Sequence, residues 1–180
     1  MRRGWILAAV AGLCAAGMGC KKAKTPDRET LVVTGSNASS QVLKNFQMQD
    51  ILNGTKNMVV EATEGRLSDD ERVADLDLPH VTFYRQGEAF SVLNAPQGRV
   101  RMDTHEIQAW GGVTVVTTDS TTLKTDRLRY DPEKGSLLSD DPVRLEKTDS
   151  VTIGTGLDAL PDLSRVRIGH QKVYVKKRQG

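Results

Sequence analysis

The groups able to carry chemistry in this 180-residue chain are three histidines, two cysteines and 23 acidic residues. His80, His105 and His170 fall at turns or strand starts, without metal-ligand spacing, and both cysteines, Cys14 and Cys20, precede the folded part. A structural zinc site gathers four such ligands at close spacing. Asp69-Asp70-Glu71 and Asp140-Asp141 read as acidic turns, because the glycine and the bidentate glutamate of a calcium loop are missing. No Gly-x-Ser-x-Gly elbow and no phosphate-cradling glycine motif occurs. A carboxylate pair can cleave a glycosidic bond, but nothing in the sequence selects one pair from the acids. The residues therefore point to a protein that is not an enzyme and needs no metal or cofactor.

One side chain does invite covalent chemistry. Arg2 and Arg3 form a basic start, residues 5–18 are apolar residues and glycine with Cys14, and Gly19 precedes Cys20. This reads as an export signal over residues 1–19, too short and too rich in Ala and Gly for a membrane span of about 20 predominantly apolar residues. A cysteine directly after small residues resembles a bacterial lipobox, in which the thiol is diacylated, although Gly17 stands where leucine is usual. An ordinary cleaved signal and an uncleaved short anchor are the other readings. All three put the domain outside the cytoplasm.

Residues 20–40 form the attachment cysteine and a flexible tether, and residues 41–180 the domain. Without Arg2 and Arg3, basic and acidic residues balance at 23 each and are interspersed, so no basic face suits nucleic acid. The domain has no cysteine and must hold together without disulfides.

What must position any site is a set of short alternating runs: Val81-Thr82-Phe83, Phe90-Ser91-Val92, Val113-Thr114-Val115, Val143-Arg144-Leu145, Val173-Tyr174-Val175. Period-two alternation with β-branched residues predicts strands. Turn signals separate them, among them Arg85-Gln86-Gly87 and Asp131-Pro132-Glu133-Lys134-Gly135. The runs also repeat. Val81, Val113, Val143 and Val173 lie 32, 30 and 30 residues apart, and Val60-x-Ala62, Leu93-x-Ala95, Leu123-x-Thr125 and Ile153-x-Thr155 follow at 33, 30 and 30. Units of two or three strands cannot bury an apolar face alone and must stack. The expected fold is all-β, elongated and antiparallel.

From Ala74 to Lys177 the order of these motifs resembles the LptC family. The resemblance rests on Leu93-Asn94-Ala95-Pro96-Gln97-Gly98, Trp110-Gly111-Gly112-Val113, Leu123-Lys124-Thr125-Asp126 through Asp131, Ser139-Asp140-Asp141-Pro142-Val143 and Ile153-Gly154-Thr155-Gly156-Leu157. It implies a twisted β-jellyroll open along one side. It also implies a component on the periplasmic side of a bacterial membrane, the inner membrane by role. Such a component takes lipopolysaccharide from an inner-membrane ABC exporter and hands it to a bridge protein of the LptA type.

Two splayed sheets expose the inward side chains that a closed sandwich would bury. The candidate groove residues are Phe46, Met48, Phe83, Phe90, Val92, Met102, Val115, Leu145, Ile168 and Val175; plain core packing is the alternative for each. The last strand, with Val166, Ile168, Val173, Tyr174 and Val175, is expected to be an edge able to pair with a partner strand. Lys172, Lys176, Lys177 and Arg178 would equally guard that edge against aggregation. A scaffolding lipoprotein of stacked β-repeats, a soluble LptA-like bridge and a carbohydrate-active β-sandwich are the competing functions.

Overall fold

The computed structural model describes residues 40–68 and 72–176. Cys20, the leader, the tether and the acidic run at residues 69–71 lie outside them. Among the described residues there is no helix, and the strands are β1 Ser40–Leu52, β2 Thr55–Ser68, β3 Val73–Asp77, β4 His80–Arg85, β5 Glu88–Asn94, β6 Gln97–Arg101, β7 Ile107–Thr117, β8 Thr122–Asp131, β9 Ser136–Glu146, β10 Ser150–Ala159 and β11 Val166–Val175. They form one antiparallel sheet of eleven strands, the all-β jellyroll class expected.

The pairing is simpler than eleven strands suggest. β3 and β4 both pair with β2 in one unbroken register, from Ser68↔Val73 to Met58↔Phe83. β5 and β6 pair with β4 and β3 in one register of their own, and both then pair with β7. These four short strands are thus two long ones, each interrupted once, at Leu78-Pro79 and at Ala95-Pro96. The whole sheet is an up-and-down meander of nine ribbons, each beside its neighbour in sequence. Among the described residues β1 pairs only with β2 and β11 only with β10, which leaves the outer edge of each unpaired within this set.

The interruptions line up across the sheet. Asn45 in β1, Leu78 after β3, Gly111 and Gly112 in β7, Gly156 in β10 and His170 in β11 all have positive φ. Registers slip at the same level in β7, β8 and β10. Leu78 and Ala95 donate their amides to the carbonyls of Pro96 and Pro79, at 2.9 and 3.2 Å, so the break is bonded across rather than frayed. The Pro rings fit here because a central strand has no other place for a missing N–H.

Several ribbons add one residue to the alternation as they cross this seam, whereas β7 and β9 keep their phase, with Ala109 followed by Val113 and Ser139 by Val143. In β2 the buried series Met58, Val60, Ala62 resumes at Gly65; in β5 and β6 Leu93 and Ala95 resume at Gly98 and Val100; in β8 Leu123 and Thr125 resume at Leu128 and Tyr130. An extra residue bends and twists a strand, and here it lets both halves of a bent ribbon face one interior. The buried residues of both halves form a single hydrophobic cluster. Phe83 near the tip of β4 meets Tyr130 in the opposite half of β8 edge to face, with centroids 5.1 Å apart.

One cross-strand row runs through the core: Met48, Val60, Val81, Leu93, Val115, Leu123 and Leu145 are direct neighbours, strand by strand. All are at most 9% exposed. Burial of such a side chain stabilises by about 1.5–3 kcal/mol. The repeat seen in the sequence follows: about 15 residues make one ribbon, and a hairpin of two restores the phase.

Two contacts tie the C-terminal hairpin down. A Cβ on Gly154 would lie 2.5 Å from both the Gly169 carbonyl oxygen and Ile168 Cγ2, so β10 and β11 approach to a distance only glycine allows. Arg85 after the β4 strand reaches Asp162 in the β10–β11 turn at 2.6 Å. Burial pushes the Asp162 carboxyl up, but hydrogen bonds from Ser164 and Arg85 outweigh it and hold it below the usual carboxylate range.

Gly154→Ala is expected to cost about 1–3 kcal/mol by overpacking in urea unfolding, with amide-exchange protection lost first in β11. Because the folded Asp162 value is the lower one, its stabilisation is complete above the unfolded value of about 3.9 and disappears as pH falls through the folded value. The melting temperature of Asp162→Asn should therefore depend less on pH between about pH 5 and 3 than that of the parent, with equal slopes at pH 6–8.

Candidate lipid-binding interior and sheet edge

The residues singled out from the sequence occupy three different environments. Phe46, Met48, Phe83, Val115 and Leu145 belong to the packed cluster, with Phe90 and Ile168 half-buried against it. Val92 faces the other way: it pairs with Thr82 and Val116, on the side of the sheet opposite Val81 and Leu93. The extended run Phe90-Ser91-Val92 has Ser91 as its core member, with Ser91 2% exposed. Met102 sits in the turn after β6, 37% exposed, its amide donating to the Arg72 carbonyl. Val175 ends β11 and is 79% exposed. The ten residues do not line one open trough, because the cross-strand row is filled by its own side chains.

Access to the interior exists at one end. A cavity of about 330 Å³ lies where the tips of β2, β4 and β5 meet the turns after β8 and β10, lined by Phe83, Phe90, Tyr130, Leu160 and Pro161. That volume falls at the low end of the range of small-molecule sites, about 300–1,000 Å³. Phe83 touches both other rings, with Phe90 at 6.4 Å between centroids. Two cations stand at the rim: Lys56 Nζ lies 4.9 Å from the Tyr84 ring centre, and the Arg85 guanidinium 4.8 Å from that of Phe90. A greasy floor with cations above it suits an amphiphile with an anionic head.

Polar groups close the mouth on its other side. Asn57 donates to Asp50 at 2.7 Å, and Asp50 faces His105 Nδ1 at 3.0 Å. Burial pushes the Tyr130 hydroxyl above its ordinary value, with an Asn57 hydrogen bond opposing, so it stays a neutral phenol. Together with Arg85–Asp162, these contacts tie β1 and β2 to the turn before β7 and to β8, and β4 to the turn after β10.

The second region is the β11 edge. The cross-strand row continues from Leu145 to Thr152 and then to Val173. Val173 is 58% exposed, so the row leaves the core at β11. Tyr174 and Val175 beside it are exposed too, and among the described residues no strand pairs with the outer side of β11. Val166 and Ile168, at the other end of the strand, pack partly against the cluster.

The sequence reading missed Tyr130, Leu160, Pro161, Lys56 and Arg85. Tyr130 was legible in principle, since it lies two residues after Leu128 on the shifted phase. Leu160 and Pro161 look like turn residues, and only the bend of the sheet brings them to Phe83. His80 bonds Asn94 across β4 and β5 at 2.7 Å. Among the described residues no cluster of three or more His, Cys, Asp or Glu could hold a metal ion. No helix among them is long and apolar enough to cross a membrane.

A comparison with curated proteins finds no match. Among protein families, the chain matches the model described as lipopolysaccharide-assembly, LptC-related, over residues 6–173. That span takes in all of β1 to β10 and most of β11. The meander with open edges, the apolar mouth and this match agree: the chain belongs to the LptC family, periplasmic-side, membrane-associated components of lipopolysaccharide transport.

Proposed function

We propose that this protein is anchored to the inner membrane through a diacylated Cys20. There it receives lipopolysaccharide from an ABC exporter and passes it to an LptA-like bridge protein, without catalysing a reaction. The observation that carries this reading is the cross-strand row, buried from Met48 to Leu145 and uncovered at Val173 on an unpaired edge. A partner strand added to β11 would continue both the backbone ladder and the apolar row into the next molecule. An acyl chain could then pass along it, gaining about 0.8 kcal/mol per buried methylene.

Entry is assigned to the mouth at Phe83, Phe90 and Tyr130, where Lys56 and Arg85 meet the anionic head. The filled interior requires the ribbons to part for lipid to advance, and the Arg85–Asp162 pair, with its arginine largely exposed, is a weak enough fastening to permit it. Acyl chains replace protein side chains in the row, so the gain relative to water is offset by the apolar side chains they displace and the exchange is near balance. That suits a carrier, which must release what it binds.

The same filled interior, with Val60, Val81 and Val115 fully buried, favours a second reading, a sealed β-scaffold that binds only at its edges. Photoreactive residues replacing Phe83, Phe90, Tyr130 or Val115 in cells separate the two. Energy-dependent lipopolysaccharide adducts are expected at these sites and not at Thr114 or Arg144. Adducts to proteins alone at every inward site would leave the scaffold.

The edge has its own test. Val173→Asp with Val175→Asp, both at exposed positions, should leave the melting temperature within about 2 °C. It should also weaken co-purification of the LptA-like bridge at least about tenfold, the equivalent of roughly 1.4 kcal/mol. Undiminished capture would move the contact away from β11.

A further inference from the structure

A second cavity, larger than the mouth, lies elsewhere on the described residues. It measures about 490 Å³ and lies over β7, β8 and β9, where six side chains, Gln108, Trp110, Arg127, Arg129, Asp140 and Asp141, line it alongside Ala109, Leu128, Leu138, Ser139 and Leu157. Register fixes why these six meet. Gln108 is opposite Arg129 and Trp110 is opposite Arg127, so the four project from adjacent strands on the side away from Ala109 and Leu128, which are buried in the core. Asp140 and Asp141 come from the seam in β9, whose bend deepens a surface that a flat sheet would leave shallow.

The cleft is rigid before any ligand arrives. Trp110 Nε1 donates to Gln97 Oε1 at 2.8 Å, which pins the indole. Arg127 binds Asp141 through two hydrogen bonds, at 2.9 and 3.1 Å, although its side chain is 72% exposed. Such a planar, doubly bonded pair holds the guanidinium still while leaving its remaining N–H groups facing outward. Gln108 is held by Glu106 at 3.0 Å, and Arg129 lies 3.5 Å from Asp131.

The chemistry on offer is specific. An aromatic face presents negative charge to polarised C–H groups. Around it stand an amide, two guanidinium groups and two carboxylates, a set of fixed donors and acceptors suited to vicinal hydroxyls. The formal charges cancel, and Arg127 already has its counter-ion, so a phosphate would find little net attraction. Polyhydroxylated, uncharged rings satisfy both the indole and the fork of donors.

We infer that this cleft is a saccharide-binding site, taking one or two pyranose rings of an uncharged oligosaccharide against Trp110. The identity of that sugar, the glycan portion of the transported lipopolysaccharide, rests on the transport reading; the site itself does not. It lies on the outer side of the same ribbons whose inner side carries Val113, Val115 and Leu123. Acyl chains and sugar of one cargo molecule would thus be held on opposite faces of one sheet.

Trp5 and Trp110 are the only tryptophans, so in a detergent-solubilised full chain carrying Trp5→Phe, tryptophan emission reports on this cleft alone. The probe is core oligosaccharide stripped of acyl chains and phosphates, with inorganic phosphate as the control. A saturable change in emission is expected with the oligosaccharide and none with phosphate. Asp140→Ala, at an exposed position, should weaken binding at least threefold with an unchanged melting temperature. Trp110→Ala, followed by calorimetric titration, should weaken it at least tenfold. No saturable response to the oligosaccharide, or an equal response to phosphate, overturns the saccharide site and leaves lipid adducts at Phe83 untouched. Oligosaccharide binding without any lipid adduct would instead remove the transport reading and keep the site.

Discussion

Everything in this domain depends on the added residue at the seam. A strand alternates strictly, so an inserted position at a bend changes which residues face inward beyond it. Here β2, the ribbon of β5 and β6, and β8 make that insertion at the same level, while β7 and β9 pass the bend with their phase kept. Positive-φ residues at Asn45, Leu78, Gly111, Gly112, Gly156 and His170 absorb the distortion. Remove the alignment and the halves could not share one core. The Phe83–Tyr130 contact, the staple from Arg85 to Asp162 and the mouth between them all follow from the fold across this line.

The seam also explains why one sheet offers two unlike surfaces. Inside, small and branched residues meet at a density that leaves no vacant trough, and apolar atoms are continuous from β1 to β9. Outside, the same strands carry paired charges, such as Arg99 with Asp75 at 2.6 Å and Arg66 with Asp77 at 2.9 Å. These exposed pairs each add little to stability. Their contribution is to present fixed polar groups, which a face built from mobile lysines would not.

The strands, their spacing and the 30-residue repeat were legible because alternation and turn residues are local signals. Val81, Val113, Val143 and Val173 marked successive hairpins correctly. The faces were legible only as far as the seam. Val92 was assigned inward by its alternation with Phe90, whereas Ser91 is the core member and Phe90 reaches the interior from the strand end. Met102 and Val175 were chosen by hydrophobicity, and their positions at a turn and a chain end leave them exposed. Leu160, Pro161 and the Trp110 cleft depend on which turns and strands the bend brings together, a long-range outcome that no window of sequence contains. The edge was legible, since the last strand of a meander has only one sequence neighbour to pair with.

That neighbour-to-neighbour topology has a kinetic meaning. Closing a short loop is entropically cheap compared with joining distant segments, and folding slows as contacts become less local. In this meander every backbone ladder joins ribbons consecutive along the chain, so a polypeptide delivered from its N-terminus can add each ribbon to a finished one. Only the contacts between distant ribbons, Arg85 to Asp162 among them, must wait for the later ones. Until they form, the growing sheet carries an unsatisfied edge that advances strand by strand, and among the described strands β11 is the one that carries it last.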